Sequence, residues 1–264
     1  MPIRTAVALC CALALNACAS DSDAEGSDDS SSAADDSSSS DDTSTGEQGD
    51  TIYAAVVRGT LAGDDLAASQ QGHDAFAMMG EASAVAAGDI AHDVLLGTTL
   101  LDSTEHEFLA IDRWTDREAM LAFYADPNVA AGFGMLFAAP PTIEYFELAA
   151  DWESWGDMQS GDAYDPYWFH FALGDLAQTD EAANHTAHDQ VAAGGKEPSL
   201  MAGNVAHVVF LGLEDRQRFL AVDIWQSADN MEAFYGNPMF VQVFAPLFTS
   251  VSQPVFVSTD WYQW

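Results

Sequence analysis

Between residues 53 and 264 the spacing of apolar and polar positions changes period in a fixed order, and that order occurs twice. Tyr53 to Thr60 is a β-prone apolar run that predicts a first strand, and Tyr167 to Leu173 is its counterpart. Each is followed by a longer alanine-rich stretch, Asp65 to Ala87 and Asp180 to Ala202, which predicts a helix. Pro198 and the Gly194-Gly195 pair are expected to shorten or bend the second of these. Two strands come next, Ile90 to Thr98 with Glu107 to Trp114, and Val205 to Leu213 with Arg218 to Trp225. Thr115 and Glu118, at capping-box spacing, open a helix whose Met120, Phe123 and Tyr124 recur as Met231, Phe234 and Tyr235. Asp126-Pro127 and Asn237-Pro238 interrupt it. A further helical run carries Phe133, Leu136 and Phe137, matched by Phe244, Leu247 and Phe248, and a last strand begins after Pro141 and Pro254.

The recurrence extends to identity. FLAIDRWTDREAMLAFYADP from Phe108 aligns without gaps on FLAVDIWQSADNMEAFYGNP from Phe219, with 10 identities in 20. GDIAHDVLLG from Gly88 pairs with GNVAHVVFLG from Gly203, and DWESW from Asp151 with DWYQW from Asp260. A period above one hundred residues means a duplicated domain rather than a solenoid. The order βαββαβ in each copy is the split-βαβ, ferredoxin-like plan. One such unit leaves a sheet face bare, because both crossovers lie on the same side. The fold class is therefore α+β: two tandem ferredoxin-like units packed sheet to sheet as a pseudo-dimeric α/β barrel. The copies span 51–155 and 166–264, with a linker at 156–165.

The FLAxDxW strand, the MxAFY helix with its following Asp-Pro or Asn-Pro, the trailing phenylalanines and the glycine-led second strand resemble the dimeric α/β-barrel superfamily, particularly its antibiotic biosynthesis monooxygenase-like branch. The resemblance implies a barrel enclosing a pocket for an aromatic or otherwise apolar small molecule. It also implies that a cofactor-independent oxygenase is one of the possible activities.

Charge alters the picture of where the chain works. Against 42 acidic side chains stand 7 basic ones, a formal −35, which excludes a phosphate-neutralising face and so nucleic acid as a partner. The segment from Asp21 to Asp50 holds 11 acids and 10 serines, with no basic or aromatic residue, and predicts a disordered tether. The remaining 31 acids and 6 bases leave −25 on residues 51–264, the balance of a salt-adapted extracytoplasmic domain.

All three cysteines, Cys10, Cys11 and Cys18, lie upstream of the tether, so the rest of the chain can form no internal disulfide and no cysteine-ligated zinc site. Arg4, the apolar run Ala6 to Leu15 and the small residues that follow form a secretory signal, expected at 1–17. Leu15-Asn16-Ala17-Cys18 resembles the bacterial lipobox, which implies acylation of Cys18 and a lipid-anchored protein of the bacterial envelope. Ala19 and Ser20 favour the outer membrane by the same resemblance, with residues 18–50 as lipidated cysteine and tether.

Four histidines occupy matched positions, His73 with His188 and His92 with His207. His73 and His188, each followed by an aspartate about 100° away on a helix, are either pocket acid/base groups or histidines satisfied within the fold. On the third strand alternation places Phe108, Ala110, Asp112 and Trp114 on one face, repeated as Phe219, Ala221, Asp223 and Trp225. The aliphatic face suits the helices, so the mixed face is expected to look into the barrel. Asp112, Asp223, His92 and His207 are then the candidate catalytic groups. Trp114, Trp225, Phe108, Phe219, His73 and His188 are the candidate ligand contacts. An Asp–His hydrogen bond that merely joins two strands is the competing reading. His185 and His188 share a helix face but lack a third ligand, and no motif implies a metal or cofactor. The paired residues look symmetric, which favours binding of a hydrophobic ligand, or a partner-protein surface, without turnover over an oxygenase-like or isomerase-like enzyme, because controlled proton transfer leaves specialised halves.

Overall fold

The computed structural model describes residues 51–158 and 167–264, so the signal at 1–17, Cys18 and the tether to residue 50, and most of the linker, lie outside the described residues. The first copy runs β1 (Tyr53–Thr60), α1 (Leu66–Ala86), β2 (Asp89–Leu101), β3 (Glu107–Trp114), α2 (Arg117–Tyr124), α3 (Pro127–Leu136) and β4 (Thr142–Leu148). The second runs β5 (Trp168–Leu176), α4 (Glu181–Met201), β6 (Asn204–Gly212), β7 (Arg218–Trp225), α5 (Ala228–Tyr235), α6 (Pro238–Phe244), β8 (Phe248–Ser252) and β9 (Pro254–Ser258). Each long helix turns into the following strand through a glycine at positive φ, Gly88 at +104° and Gly203 at +97°. A residue bearing Cβ resists that conformation, which accounts for the glycine-led second strand.

Three local expectations change. The α2 cap is Asp116, whose carboxylate accepts the Ala119 N–H at 2.9 Å, and not Thr115, whose hydroxyl instead donates to the Gly88 carbonyl. Helix α4 is neither shorter than α1 nor stopped by Pro198, since both helices have 21 residues. Pro198 and Gly194 are exposed, so solvent meets the carbonyl that proline leaves unbonded. The second copy ends in two strands rather than one. Pro246, where α3 has Met135, has no N–H to donate, so the last turn tightens to a 3-10 turn over Ala245–Leu247, and β8 follows directly.

Within each copy the strands lie β4-β1-β3-β2 and β9-β5-β7-β6, all antiparallel, with β8 continuing along β5 where β9 leaves it. The copies then exchange edges. Strand β4 pairs with β6, Phe146 opposite Gly212, and β9 pairs with β2, Leu95 opposite Ser258. These two junctions close an eight-stranded barrel, the pseudo-dimeric α/β barrel, with no second chain.

Leu109, Ile111, Leu220 and Val222 point into this barrel with Phe146, Phe171, Phe210 and Phe256, and fill it. Each buried phenylalanine contributes about 2 kcal/mol or more of apolar burial. The mixed faces of β3 and β7 look outward, beneath the helices: Phe108, Ala110 and Trp114 pack with Met120, Tyr124, Val129 and Leu136. The sequence expectation is thus reversed for Asp112 and Asp223. The reason is physical, because an eight-stranded barrel is just wide enough for packed side chains, and a carboxylate there would go without partners. The helices supply partners, and the candidate chemistry lies under them.

Candidate functional site

In the first copy α1 lowers His73 onto the sheet, β2 presents His92, β3 presents Asp112, and the end of α2 presents Tyr124. They make a continuous hydrogen-bonded line. Asp74 Oδ1 lies 3.0 Å from His73 Nδ1, His73 Nε2 lies 3.2 Å from His92 Nε2, and His92 Nδ1 lies 2.5 Å from Asp112 Oδ1. The Tyr124 hydroxyl donates to the other oxygen of Asp112. Neighbours on a helix, His73 and Asp74 nevertheless touch, which their angular separation alone does not suggest. The second copy repeats the line with Asp189, His188, His207 and Asp223, at 3.0, 3.3 and 2.7 Å.

Proton counting constrains this line. Both Nδ1 atoms of a pair face carboxylates and carry hydrogens, so the two Nε2 atoms confront each other and one proton must sit between them. His73 is pushed down to about 4, by burial first and then by the charge of His92. His188 is pushed to about 4 for the same reasons, with His207 as the neighbouring charge.

Each line is completed by the other copy's tail. Trp264 stacks on His92 with centroids 4.5 Å apart, and Trp155 stacks on His207 at 4.6 Å. Trp261 packs beside His73, and Trp152 beside His188. Asp74 accepts the Tyr262 N–H at 2.9 Å, and Asp189 the Glu153 N–H at 2.8 Å. Gln70 reaches Asp260 and His185 reaches Asp151, so these matched helix positions also hold the exchanged tails. Among the described residues no group of three or more His, Cys, Asp or Glu is arranged to hold a metal ion.

The surroundings are unequal. A cavity of about 560 Å³ opens between the sheet and the helices of the first copy, lined by His73, His92, Asp112, Tyr124, Phe108 and Trp264 among others. Its equivalent in the second copy has about 50 Å³ and is lined by His188, His207, Asp223, Phe219, Trp225 and Tyr235 among others. Phe240 stands there in place of Val129, together with the phenylalanines of the α6 end. Trp114 is wholly buried against Phe123 and Tyr124, outside the cavity lining. The symmetry read from the sequence holds for the central lines and the tails stacked on them, but not for the space under the helices.

Two substitutions between copies stand out. His170 on β5, where β1 has Ala55, is fully buried, stacks on Tyr235 at 3.7 Å and sets its Nδ1 3.5 Å from Asp223. Burial alone would raise Asp223, but the charge of His207 and the contact with His170 hold it well below the usual carboxylate range. Burial and the charge of Asp223 raise the Tyr235 phenol well above its ordinary value. In the first copy Asp89 replaces Asn204, and burial, then the charge of Asp112, raise it to about 9. Asp89 lines the open cavity as a neutral carboxylic acid near pH 7. The aligned Asp89/Asn204 pair was available in the sequence, whereas the contrast of Ala55 with His170 needed the strand register.

No protein-family model and no curated protein sequence matches the chain. Solved structures do. One carrying a provisional monooxygenase assignment, from Fusobacterium nucleatum, superposes with a TM-score of 0.57 at 7% identity, over 79% of this chain and 93% of that one. An anthrone oxidase-like protein gives 0.56 at 16% identity, over 82% and 94%. A variant of chlorite dismutase from Candidatus Nitrospira defluvii gives 0.52 at 10%, over 79% and 91%. At these identities the likeness is one of fold: the chain is a tandem, pseudo-dimeric α/β barrel of the architecture these proteins share.

Proposed function

We propose that the chain binds one small apolar or aromatic molecule, in the first copy's cavity, and that the second copy serves as its structural partner. The observation carrying this reading is the unequal pair of cavities, about 560 and 50 Å³, above the same His–His–Asp line. The larger lies within the range of small-molecule sites and has an apolar, aromatic wall with a few convergent polar groups. Calorimetric titration with fluorene, a rigid apolar aromatic, tests it. One equivalent bound per chain is expected, and no binding would overturn the reading.

A second reading, cofactor-independent oxygenase-like or isomerase-like turnover, is favoured by one observation. Asp89 is kept protonated in the cavity beside Asp112 and His92, which sets an acid near a base. The monooxygenase and anthrone oxidase-like names among the fold neighbours are consistent with it. Oxygen uptake with hydroxylated aromatic compounds, lost in Asp112→Asn while folding is retained, would support turnover. The same proposal places the barrel in the bacterial envelope, acylated at Cys18 and tethered by the acidic segment. Fatty-acid label that persists in Cys18→Ala would remove that part.

A further inference from the structure

The two tail tryptophans occupy matched positions but treat their indole N–H groups differently. Trp155 Nε1 donates to Asn204 Oδ1 at 2.7 Å. Trp264, stacked on His92 in the same way, lines the open cavity, and its buried Nε1 has no partner. A buried donor left without an acceptor is costly, and such groups in a folded protein call for an explanation.

We propose that the first copy's pocket recognises an oxygen acceptor on its ligand through the indole N–H of Trp264, the donor that the second copy satisfies internally. This inference rests on the reading of that cavity as a binding pocket. The change that freed the donor is the replacement of asparagine by Asp89. The Asn204 amide is held by the Ala206 carbonyl, which it meets at 3.1 Å through Nδ2, and it turns its oxygen to Trp155. Asp89 has no such N–H₂ group, and its Oδ1 turns to the Ala91 N–H at 3.2 Å. The indole N–H is thereby left without an acceptor, on a ring that lines the cavity together with Asp89. A ligand carbonyl, ether or phenolate oxygen placed against Trp264 would satisfy the indole while the rest of the molecule packs on the aromatic wall. Specificity in the first copy's pocket would then be set by a residue of the second copy's tail.

The test pairs two probes of one ring skeleton, fluorene and 9-fluorenone, which differ by a carbonyl. Wild-type protein is expected to bind fluorenone about tenfold more tightly, the effect of one buried hydrogen bond to an otherwise unpaired donor. Trp264→Phe keeps the stack on His92 and should bind both probes alike. Asp89→Asn, which recreates the second copy's pair, should also abolish the preference while fluorene binding persists. In wild-type protein the Trp264 indole ¹⁵N–¹H resonance should move with fluorenone and much less with fluorene. Equal binding of both probes to wild type, or a preference that survives Trp264→Phe, would overturn the inference and leave the pocket standing. Failure of both probes to bind would instead remove the pocket on which it depends.

Discussion

Trp264 lies on His92 with the ring planes 25° apart and the centroids at 4.5 Å, although one residue belongs to the second copy's tail and the other to the first copy's β2. The His92 N–H also donates to a main-chain oxygen of Trp264 at 2.9 Å. The mirrored contact, Trp155 on His207, differs in having its indole bonded to Asn204.

That difference predicts unequal costs for one substitution. Trp155→Phe removes a donor and leaves Asn204 Oδ1 buried without it, so it should destabilise the fold by about 1–3 kcal/mol. Trp264→Phe removes an N–H that no protein atom accepts, so relief of the unpaired donor offsets the packing lost with the smaller ring, and the net cost should be below that of Trp155→Phe. Urea unfolding of both variants checks the order, and equal losses would contradict it.

Cavity size predicts an exchange of binding between copies. Val129→Phe puts the second copy's residue into the first and should abolish fluorene binding with little loss of stability. Phe240→Val should enlarge the 50 Å³ remnant, destabilise by about 1–2 kcal/mol and add a weaker second site. Stoichiometry in a calorimetric titration reads both outcomes.

Asp89 predicts an alkaline weakness. A carboxyl raised from 3.8 to about 9 on folding contributes stability that is complete below its unfolded pKa and is lost as pH climbs toward 9. Between pH 7.5 and 9 the two helix histidines, lowered from 6.5 to about 4 on folding, are neutral in both states, and Asp93, at about 6, is ionised. The free energy of unfolding should therefore fall across this window by at most about 1.4 kcal/mol per pH unit, and the melting temperature with it. Asp89→Asn should flatten it. A wild-type profile already flat from pH 7.5 to 9 would refute the assignment.

Net charge predicts a response to salt. With −25 on residues 51–264, self-repulsion opposes the compact state, and the screening length falls to about 3 Å at 1 M salt. Thermal unfolding should move upward as sodium chloride is added. A flat or falling dependence would count against the salt-adapted reading.

The strands and helices were legible because their periods are local properties. Strands β3 and β7 run from Glu107 to Trp114 and from Arg218 to Trp225, the bounds their alternation implies. What alternation cannot say is which face meets which layer. Leu109 and Ile111 suit a barrel interior as well as a helix, and only the positions of His73 and Tyr124 on the helices decide the matter for Asp112. The inequality of the copies was harder to see for another reason. It depends on Val129 against Phe240 and Ala55 against His170, equivalent positions in the two copies whose effect is set by what the fold packs around them, as His170 is packed on Tyr235 and Asp223.

The exchange of β4 and β9 between copies also orders events during synthesis. Strand β2 emerges early, but its outer partner β9 and the tail that roofs the first pocket are made more than 150 residues later, a delay on the order of 10 s at ribosomal rates. Until then the nascent first copy presents an unpaired edge and an uncovered His92, so the pocket is among the last parts of the molecule to exist. A chain interrupted anywhere in the second copy would carry every residue that the first copy contributes to the site and still lack the site.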